Sequence, residues 1–283
     1  QYMFNQLVIN PAYAGSREVI NLTALYRNQW YNINGAPTTS TFSADAPIAS
    51  DKVGIGLSII HDKIGVTNST DIAGYFAYRI KFQEERTLSF GLSAIVTQFN
   101  VNLASLNLNP DGGIGNDAAF ASNINKMLPN FGGGVYYNSK RFFAGLSVPT
   151  FLTNRISADF TSARSVFARQ FQHFFFIAGG LIDITPDVKW KPSVLYKAVS
   201  GAPMQMDFNS NVWFYDVFAV GVSYRSFDAI SFLAEVQATP QLRFGYAYDR
   251  SFSLTYNRTG SHEIMLNYMF GYGKGKIMSP RYF

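Results

Sequence analysis

The chain has 283 residues, of which 16% are aromatic and only 14% are charged, against about 25% charged residues in ordinary soluble domains. The mean hydropathy is +0.01, and the absence of any run of about 20 apolar residues excludes a helical membrane span. Cysteine is absent, which excludes disulfides and thiolate chemistry, and a net charge of +5 without a Lys/Arg-rich run predicts no nucleic-acid binding. Apolar side chains spread this thinly are typical of alternating β-strands.

Residues 1–17 form the first predicted element, which is apolar but has no strand pattern. Asn10-Pro11 and Ala14-Gly15 are turn dipeptides that break regular structure. The chain opens without the basic-then-apolar leader of an export signal, so we expect a mature exported chain. The residues singled out in this segment are Tyr2, Phe4, Pro11 and Tyr13.

From residue 18 onward, apolar and polar residues alternate in segments of about ten residues. The clearest segment is 204–214, in which Met206 and Phe208 alternate with Asp207 and Asn209. One face could contact lipid and the other water, as in a transmembrane barrel. We predict an all-β fold, a single closed antiparallel transmembrane β-barrel over 18–272, with a C-terminal periplasmic tail at 273–283. The fourteen predicted strands are 18–30, 37–47, 53–62, 70–82, 86–98, 130–138, 141–150, 170–182, 187–198, 203–214, 217–226, 228–237, 240–250 and 261–272.

The connections between these strands alternate between short and long. With residue 1 in the periplasm, all the long connections face outward and all the inward ones are tight turns, as outer-membrane barrels require. We therefore expect both termini on the periplasmic side. The outward connections are 31–36, 63–69, 99–129, 151–169, 199–202, near 227 and 251–260, and the inward ones are 48–52, 83–85, 139–140, 183–186, 215–216 and 238–239.

A soluble β-sandwich or soluble barrel is the alternative, since it also alternates. Its second face would carry Lys and Glu, whereas many opposite-face positions here hold Gly, Ala, Ser or Asn. Tyr and Trp also recur near segment ends, for example at Trp30 and Tyr224, as in interfacial girdles. The pattern therefore favours the membrane barrel.

The predicted lumen carries charges of both signs. A channel selective for one charge would concentrate one sign at a constriction, whereas mixed charges pair with each other or with a plug. We predict that residues 1–17 pack inside or across the periplasmic mouth as a plug, with a disordered tail or a partner-binding peptide as alternatives. The lumen residues singled out are Arg27, Asp45, Arg79 and Arg243.

The long outward loops are apolar although no lipid faces them. Exposed apolar surface of this kind often marks a protein-binding site, and packing of the loops over the barrel mouth is an equal alternative. The predicted partner-binding residues are Phe99, Leu103, Leu106, Phe120, Phe151, Leu152, Phe160, Phe252 and Tyr256.

No pattern in the chain predicts catalysis. His61, His173 and His262 are scattered and have no metalloprotease spacing. The loop that contains Asp111 and Asp117 does not have the spacing of an EF-hand, so we predict a turn-rich loop. We expect no enzyme activity, no metal and no cofactor.

Several stretches resemble one family, namely QYMFNQLVINPAYAGS (1–16), LTALYRNQW (22–30) and GAPTTSTFSADAPI (35–48). They are similar to the PorP/SprF family of type IX secretion system membrane proteins, and GIGLSIIHDKIG (54–65) and SPRYF (279–283) fit the same pattern. The resemblance implies an outer-membrane barrel of a Gram-negative bacterium and no catalytic residues. It also implies secreted partners, notably surface adhesins with a type B C-terminal sorting domain, or association with the periplasmic ring.

Our leading hypothesis is a module that binds and anchors a secreted surface protein through its C-terminal domain. The expected partners are that protein, other type IX secretion components and membrane lipid. The alternatives are an outer-membrane solute channel and a structural link to the periplasmic ring. A filled lumen would favour anchoring, whereas an open pore with charges of one sign would favour transport.

Overall fold

The computed structural model describes residues 1–49, 51–83, 85–103, 123–160, 163–252 and 260–270, with the backbone alone at 155–169. Across these residues, no helix has both the length and the apolar character needed to cross a membrane. Regular structure in this part of the chain is almost entirely β, because alternation with period two suits a pleated strand.

Seventeen strands and one 3₁₀ turn, Pro11–Tyr13, make up the described regular structure. The strands are β1 (Ile20–Asn28), β2 (Thr38–Ile48), β3 (Val53–Ile64), β4 (Thr67–Lys81), β5 (Thr87–Val101), β6 (Ile124–Asn138), β7 (Phe142–Val148), β8 (Arg155–Phe160), β9 (Ala163–Arg169), β10 (His173–Gly180), β11 (Ile182–Thr185), β12 (Val188–Val199), β13 (Gln205–Phe214), β14 (Phe218–Arg225), β15 (Ala229–Gln237), β16 (Leu242–Ser251) and β17 (Gly260–Phe270).

The main sheet closes on itself as an antiparallel barrel. β1 pairs with both β2 and β17, so the first and last described strands are neighbours. β10 pairs with both β7 and β12. β10 and β11 follow one another along β12 and together form one barrel strand, interrupted at Leu181. The described chain thus forms the predicted fourteen-stranded barrel, while β8 and β9 form a separate hairpin within the connection from β7 to β10.

The two faces of the barrel wall are inverted relative to a soluble protein. Along β13, Phe208 is 52% exposed on the outer face, whereas Asp207 and Asn209 are each 4% exposed on the inner face. The outer face therefore suits lipid and the inner face suits polar contacts. The same outward apolar positions recur around the wall at Phe42, Leu57, Ile72, Phe76, Phe90, Leu92, Leu146, Val222, Phe232, Phe244 and Leu266.

The two ends of the barrel differ in the length of their connections. We call the end where β1 begins and β17 ends the terminal end, and the opposite end the loop end. Every connection between described strands at the terminal end is short, and the strand ends that flank the long connections, such as Val101 and Ile124, lie at the loop end. This confirms the predicted alternation of the connections.

The height of the wall is uneven around the barrel. β4, β5 and β6 each have 15 residues, whereas β14 has 8. At about 3.4 Å per residue and a tilt of about 40°, these lengths span about 39 Å and about 21 Å, against an apolar band of about 25 Å. The longer strands exceed the band, and they keep pairing with one another as far as the loop end, where Thr67 pairs with Val101 and Val101 with Ile124.

The predicted strand boundaries differ from the structure chiefly on this raised side. The connection predicted at 63–69 is reduced to Gly65 and Val66, and the predicted loop 99–129 is shortened at both ends by β5 and β6. The alternation that marks the other strands is lost at these ends: residues 67–69 are polar on both faces, whereas Val101 and Ile124 are buried. The predicted tail 273–283 lies outside the described residues.

Candidate functional site

The N-terminal segment, residues 1–19, is buried and touches the inner wall in many directions. The Tyr2 hydroxyl shares a hydrogen bond of 3.0 Å with Ser193 on β12, and Asn5 Nδ2 donates to Ser43 on β2 at 2.9 Å. Ser147 on β7 donates to the Ile9 carbonyl at 2.7 Å. Because these partners lie on strands far apart around the barrel, the segment lies within the ring of strands.

The Asn10–Ala12 turn rests on a recess in the inner wall. Asn10 caps the turn, since its Oδ1 accepts a hydrogen bond of 3.0 Å from the Ala12 N–H, and its Nδ2 donates to the Val135 carbonyl at 3.0 Å. Gly91 and Gly134 lie beneath the turn, where an added Cβ would overlap Ala12 and Asn10 respectively. We call Gly91, Gly134 and Gly145, from β5, β6 and β7, the glycine recess.

The next turn of the segment is held by a buried carboxylate. Asp45 on β2 accepts hydrogen bonds from the Gly15 N–H at 2.9 Å and from Asn21 Nδ2 at 2.8 Å. Gly15 has a φ of +71°, and its Cβ position would lie 3.0 Å from the Gly54 Cα on β3. A side chain there would therefore be strained in backbone conformation and crowded against the wall.

Arg17 ties the segment to the last strand. Its Nε donates to the Tyr13 hydroxyl at 3.0 Å, and its Nη1 donates to Asn267 Oδ1 at 3.2 Å. Asn267 Nδ2 in turn donates to Asn21 Oδ1 at 2.7 Å on β1. One network of polar contacts therefore joins the N-terminal segment to the seam where β1 meets β17.

At the terminal end, Glu18 forms ion pairs with two cationic side chains. Glu18 Oε1 lies 3.3 Å from Arg79 Nη2 and 3.1 Å from Lys81 Nζ. Arg79 also donates to the Asp51 carbonyl at 3.1 Å. Because Arg79 is 1% exposed, these contacts compensate a cation removed from water.

Charges toward the loop end pair with opposite charges inside the barrel. Arg27 Nη2 lies 2.7 Å from Asp249 Oδ2, and Arg27 Nη1 lies 3.2 Å from Glu263 Oε2. Arg225 Nε lies 3.2 Å from Asp207 Oδ2. These pairs fit the predicted lumen of mixed sign, in which charges satisfy one another.

The residues singled out for the lumen are mostly withdrawn from water. Tyr2, Phe4, Pro11, Tyr13, Asp45, Arg79 and Arg243 are buried, and Arg27 is half-buried. Arg243 Nη1 lies 3.7 Å from Glu235 Oε2, and Arg243 Cζ lies 5.1 Å from the centre of the Trp213 ring. Arg17, Asn267 and the glycine recess were not predicted, although the small residues on the polar face were a signal of close backbone approach.

The predicted partner-binding residues at the loop end are found in different environments. Leu103 is 4% exposed and packs with Val101 and Ile124, and Phe99 packs against that cluster. Phe151, Leu152 and Phe252 are exposed. The side chain of Phe160 and the residues Leu106, Phe120 and Tyr256 lie outside the described part. Phe227, which is 94% exposed in the turn between β14 and β15, was not among the predicted residues.

A comparison with protein families gives a match over most of the chain. Residues 1–268 match the family described as Type IX secretion system membrane protein PorP/SprF. No curated protein matches the chain.

Solved structures of outer-membrane proteins share the fold at low sequence identity. The toluene transporter TbuX of Ralstonia pickettii is 10% identical with a TM-score of 0.54, covering 94% of this chain and 93% of that one. The CymD monoaromatic hydrocarbon channel is 11% identical with a TM-score of 0.54, covering 94% and 92%. A FadL homologue from Pseudomonas aeruginosa is 13% identical with a TM-score of 0.53, covering 95% and 94%. At these identities the likeness shows the fold alone, which is that of an outer-membrane barrel.

Proposed function

This chain belongs to the PorP/SprF family of type IX secretion system membrane proteins, and on that premise we propose that it anchors a secreted surface protein. The barrel binds the C-terminal sorting domain of that protein and holds it at the cell surface. The role is one of binding and not of catalysis. The N-terminal segment acts as a plug that closes the barrel.

The burial of the inward-facing side chains carries this proposal. Polar residues distributed around the inner wall, such as Asn21, Ser58, Ser193 and Asn267, are each at most 8% exposed. In an open channel these side chains would contact water. Burial of these side chains argues against the alternative of a solute channel and supports the loop end as the binding surface.

The loop end offers apolar surface for such a partner. Leu152, Phe227 and Phe252 are exposed there, on connections beyond the strand ends. Aromatic anchors of this kind dominate the energetics of protein interfaces. Among the described residues, the short connections at the terminal end offer little surface for a large partner, which disfavours the alternative of a link to the periplasmic ring.

Purification of tagged protein from its native membrane in gentle detergent tests the proposal. We expect a large surface protein to co-purify through its C-terminal domain. Phe252→Ser and Leu152→Ser should weaken that complex at least about tenfold, a loss of about 1.4 kcal/mol, because they remove apolar contacts at the loop end.

Tyr215→Ser is the matched control, because Tyr215 is 72% exposed but lies at the terminal end. Binding should be unchanged in this variant. Recovery of periplasmic ring components without a surface protein, or sensitivity to Tyr215→Ser alone, would support the ring link instead. A barrel that purifies alone and conducts ions in a planar bilayer would support the solute channel.

A further inference from the structure

The outward face of the barrel contains an open apolar depression, lined by residues of the described part of the chain. It has a volume of about 750 Å³, within the range of small-molecule sites. Its lining comes from neighbouring strands β4 to β7 and from β10 and β12, and it opens toward the membrane. We call this depression the outer-wall groove. Its principal lining residues are Phe76, Phe90, Leu92, Gly133, Leu146 and Phe151.

The strand register explains why the groove is located here. One cross-strand row runs Phe76, Leu92, Gly133 and Val148, and the adjacent row runs Tyr78, Phe90, Val135, Leu146, Phe176 and Tyr196. The second row is continuous, with a bulky side chain on every strand. The first row is interrupted at Gly133, which has no side chain. The backbone at Gly133 therefore forms the floor of the groove, and the side chains of the second row form one of its sides.

Phe151 closes the groove at its loop end. The Phe151 Cζ lies 3.0 Å from the position of a Cβ on Gly133. Its backbone N–H donates to the Phe131 carbonyl at 2.7 Å. Asn130 holds the following residue from both sides, donating to the Leu152 carbonyl at 2.9 Å and accepting from the Leu152 N–H at 3.0 Å. Phe151 is therefore fixed by backbone contacts and is not a loosely attached side chain.

The groove is continuous with the apolar band of the outer wall. Tyr78, Phe90 and Leu92 are exposed on that face, so the medium at the mouth of the groove is the hydrocarbon of the bilayer. The walls present aromatic rings and aliphatic side chains, with no charged residue among the lining residues. An unbranched apolar chain matches this chemistry, because it can enter from the side without exposing a polar group.

We propose that the outer-wall groove binds one acyl chain of a membrane phospholipid. The chain lies over Gly133, between the aromatic row of Tyr78, Phe90 and Phe176 on one side and Phe76 on the other. The site is distinct from Leu152 and Phe252, which are proposed to bind the secreted protein, because its lining lies on the outward face of the barrel wall and does not include them.

Photocrosslinking tests the assignment. The purified full-length barrel is placed in vesicles of phosphatidylethanolamine and phosphatidylglycerol that contain a phosphatidylethanolamine with a diazirine in one acyl chain. After irradiation, crosslinked peptides are identified by mass spectrometry. We expect labelling of peptides from β5, β6 and the Phe151 segment to exceed labelling of the opposite wall, at β14 and β15, by at least fivefold.

Two leucine substitutions make a matched pair. Gly133→Leu fills the floor of the groove and should reduce its labelling at least fivefold. Gly74→Leu places the same side chain on the outward face of β4, where an added Cβ meets nothing within 4 Å, and should leave labelling unchanged. Phe151→Ser, which removes the closing ring without altering the barrel strands, should also reduce labelling if Gly133→Leu prevents folding.

Uniform labelling around the barrel, or equal labelling of the Gly133→Leu and Gly74→Leu variants, would overturn the assignment. A third result would also overturn it, in favour of a protein occupant. In that case the groove peptides would be labelled in vesicles but protected from the same probe in native outer membranes.

Discussion

At Gly91 and Gly134 the inner wall lacks side chains at the points where the Asn10–Ala12 turn touches it. A methyl group at either position would overlap the turn. Overpacking of this kind costs about 1–3 kcal/mol when neighbouring atoms have to move. These two glycines therefore decide whether the N-terminal segment can approach the wall.

We expect Gly91→Ala and Gly134→Ala to displace the turn and raise the hydrogen-exchange rate of residues 10–15 at least tenfold. Each variant should also lower the free energy of unfolding by about 1–3 kcal/mol. Gly74→Ala is the control, since its added Cβ enters open space. Equal exchange rates in all three variants would show that the recess does not hold the turn.

Asp45 is the second residue on which the N-terminal segment depends. Asp45→Ala leaves the Gly15 N–H and the Asn21 amide without their acceptor in a buried site, and should cost about 1–3 kcal/mol in urea unfolding. Asp51→Asn provides the comparison, because the side chain of Asp51 is 42% exposed in its ion pair with Lys81 and that pair should contribute about 0–1 kcal/mol. Asparagine also tolerates the φ of +64° at this position. A smaller loss for Asp45→Ala than for Asp51→Asn would contradict the proposed role of Asp45.

At the scale of the element, each strand carries two environments with period two. β14 shows this over a short length, since Val220 and Val222 point outward while Ser223 is 2% exposed on the inner face. The outward side chains contact lipid, so their tolerance to charge should depend on depth in the bilayer. A strand in a soluble sandwich would show no such dependence.

Val222→Arg should make folding into lipid vesicles less favourable by about 2–4 kcal/mol, because Val222 lies in the middle of β14. Phe227→Arg, in the adjacent turn at the loop end, should cost about 0–1 kcal/mol. Urea titration of the two variants in vesicles measures both values. Similar costs at the two positions would contradict a membrane-facing β14.

At the scale of the whole molecule, the uneven connections define an orientation. Outer-membrane barrels keep short turns on the periplasmic side and long loops outside the cell. We therefore propose that the terminal end faces the periplasm. The absence of cysteine allows this to be tested with single introduced thiols.

A membrane-impermeant maleimide should label Ala202→Cys, at the loop end, in intact cells. Gln83→Cys, in a turn at the terminal end, should be labelled only after the outer membrane is permeabilised. Both positions are exposed, so access to the reagent is the only difference between them. The reverse pattern would place the termini outside the cell.

The sequence by itself determined the barrel, its strand number and the alternation of its connections. These properties follow from local physics, because a period of two sorts apolar and polar residues onto opposite faces of each strand. The long connections could be assigned to one end by counting strands alone. The apolar, turn-rich character of residues 1–17 likewise separated them from the strands.

Only the tertiary structure decided which wall residues meet the N-terminal segment and where the outer-wall groove lies. Asn10 and Val135 are 125 positions apart and Arg17 and Asn267 are 250 positions apart, so no local pattern could pair them. The functional meaning of Gly133 and Gly134 also depends on register, since one faces the lipid and the other the lumen. Register and barrel closure bring distant residues together through backbone hydrogen bonds that every residue type except proline can donate and accept. The sequence therefore indicates which face of a strand a residue occupies more clearly than which residues lie beside it.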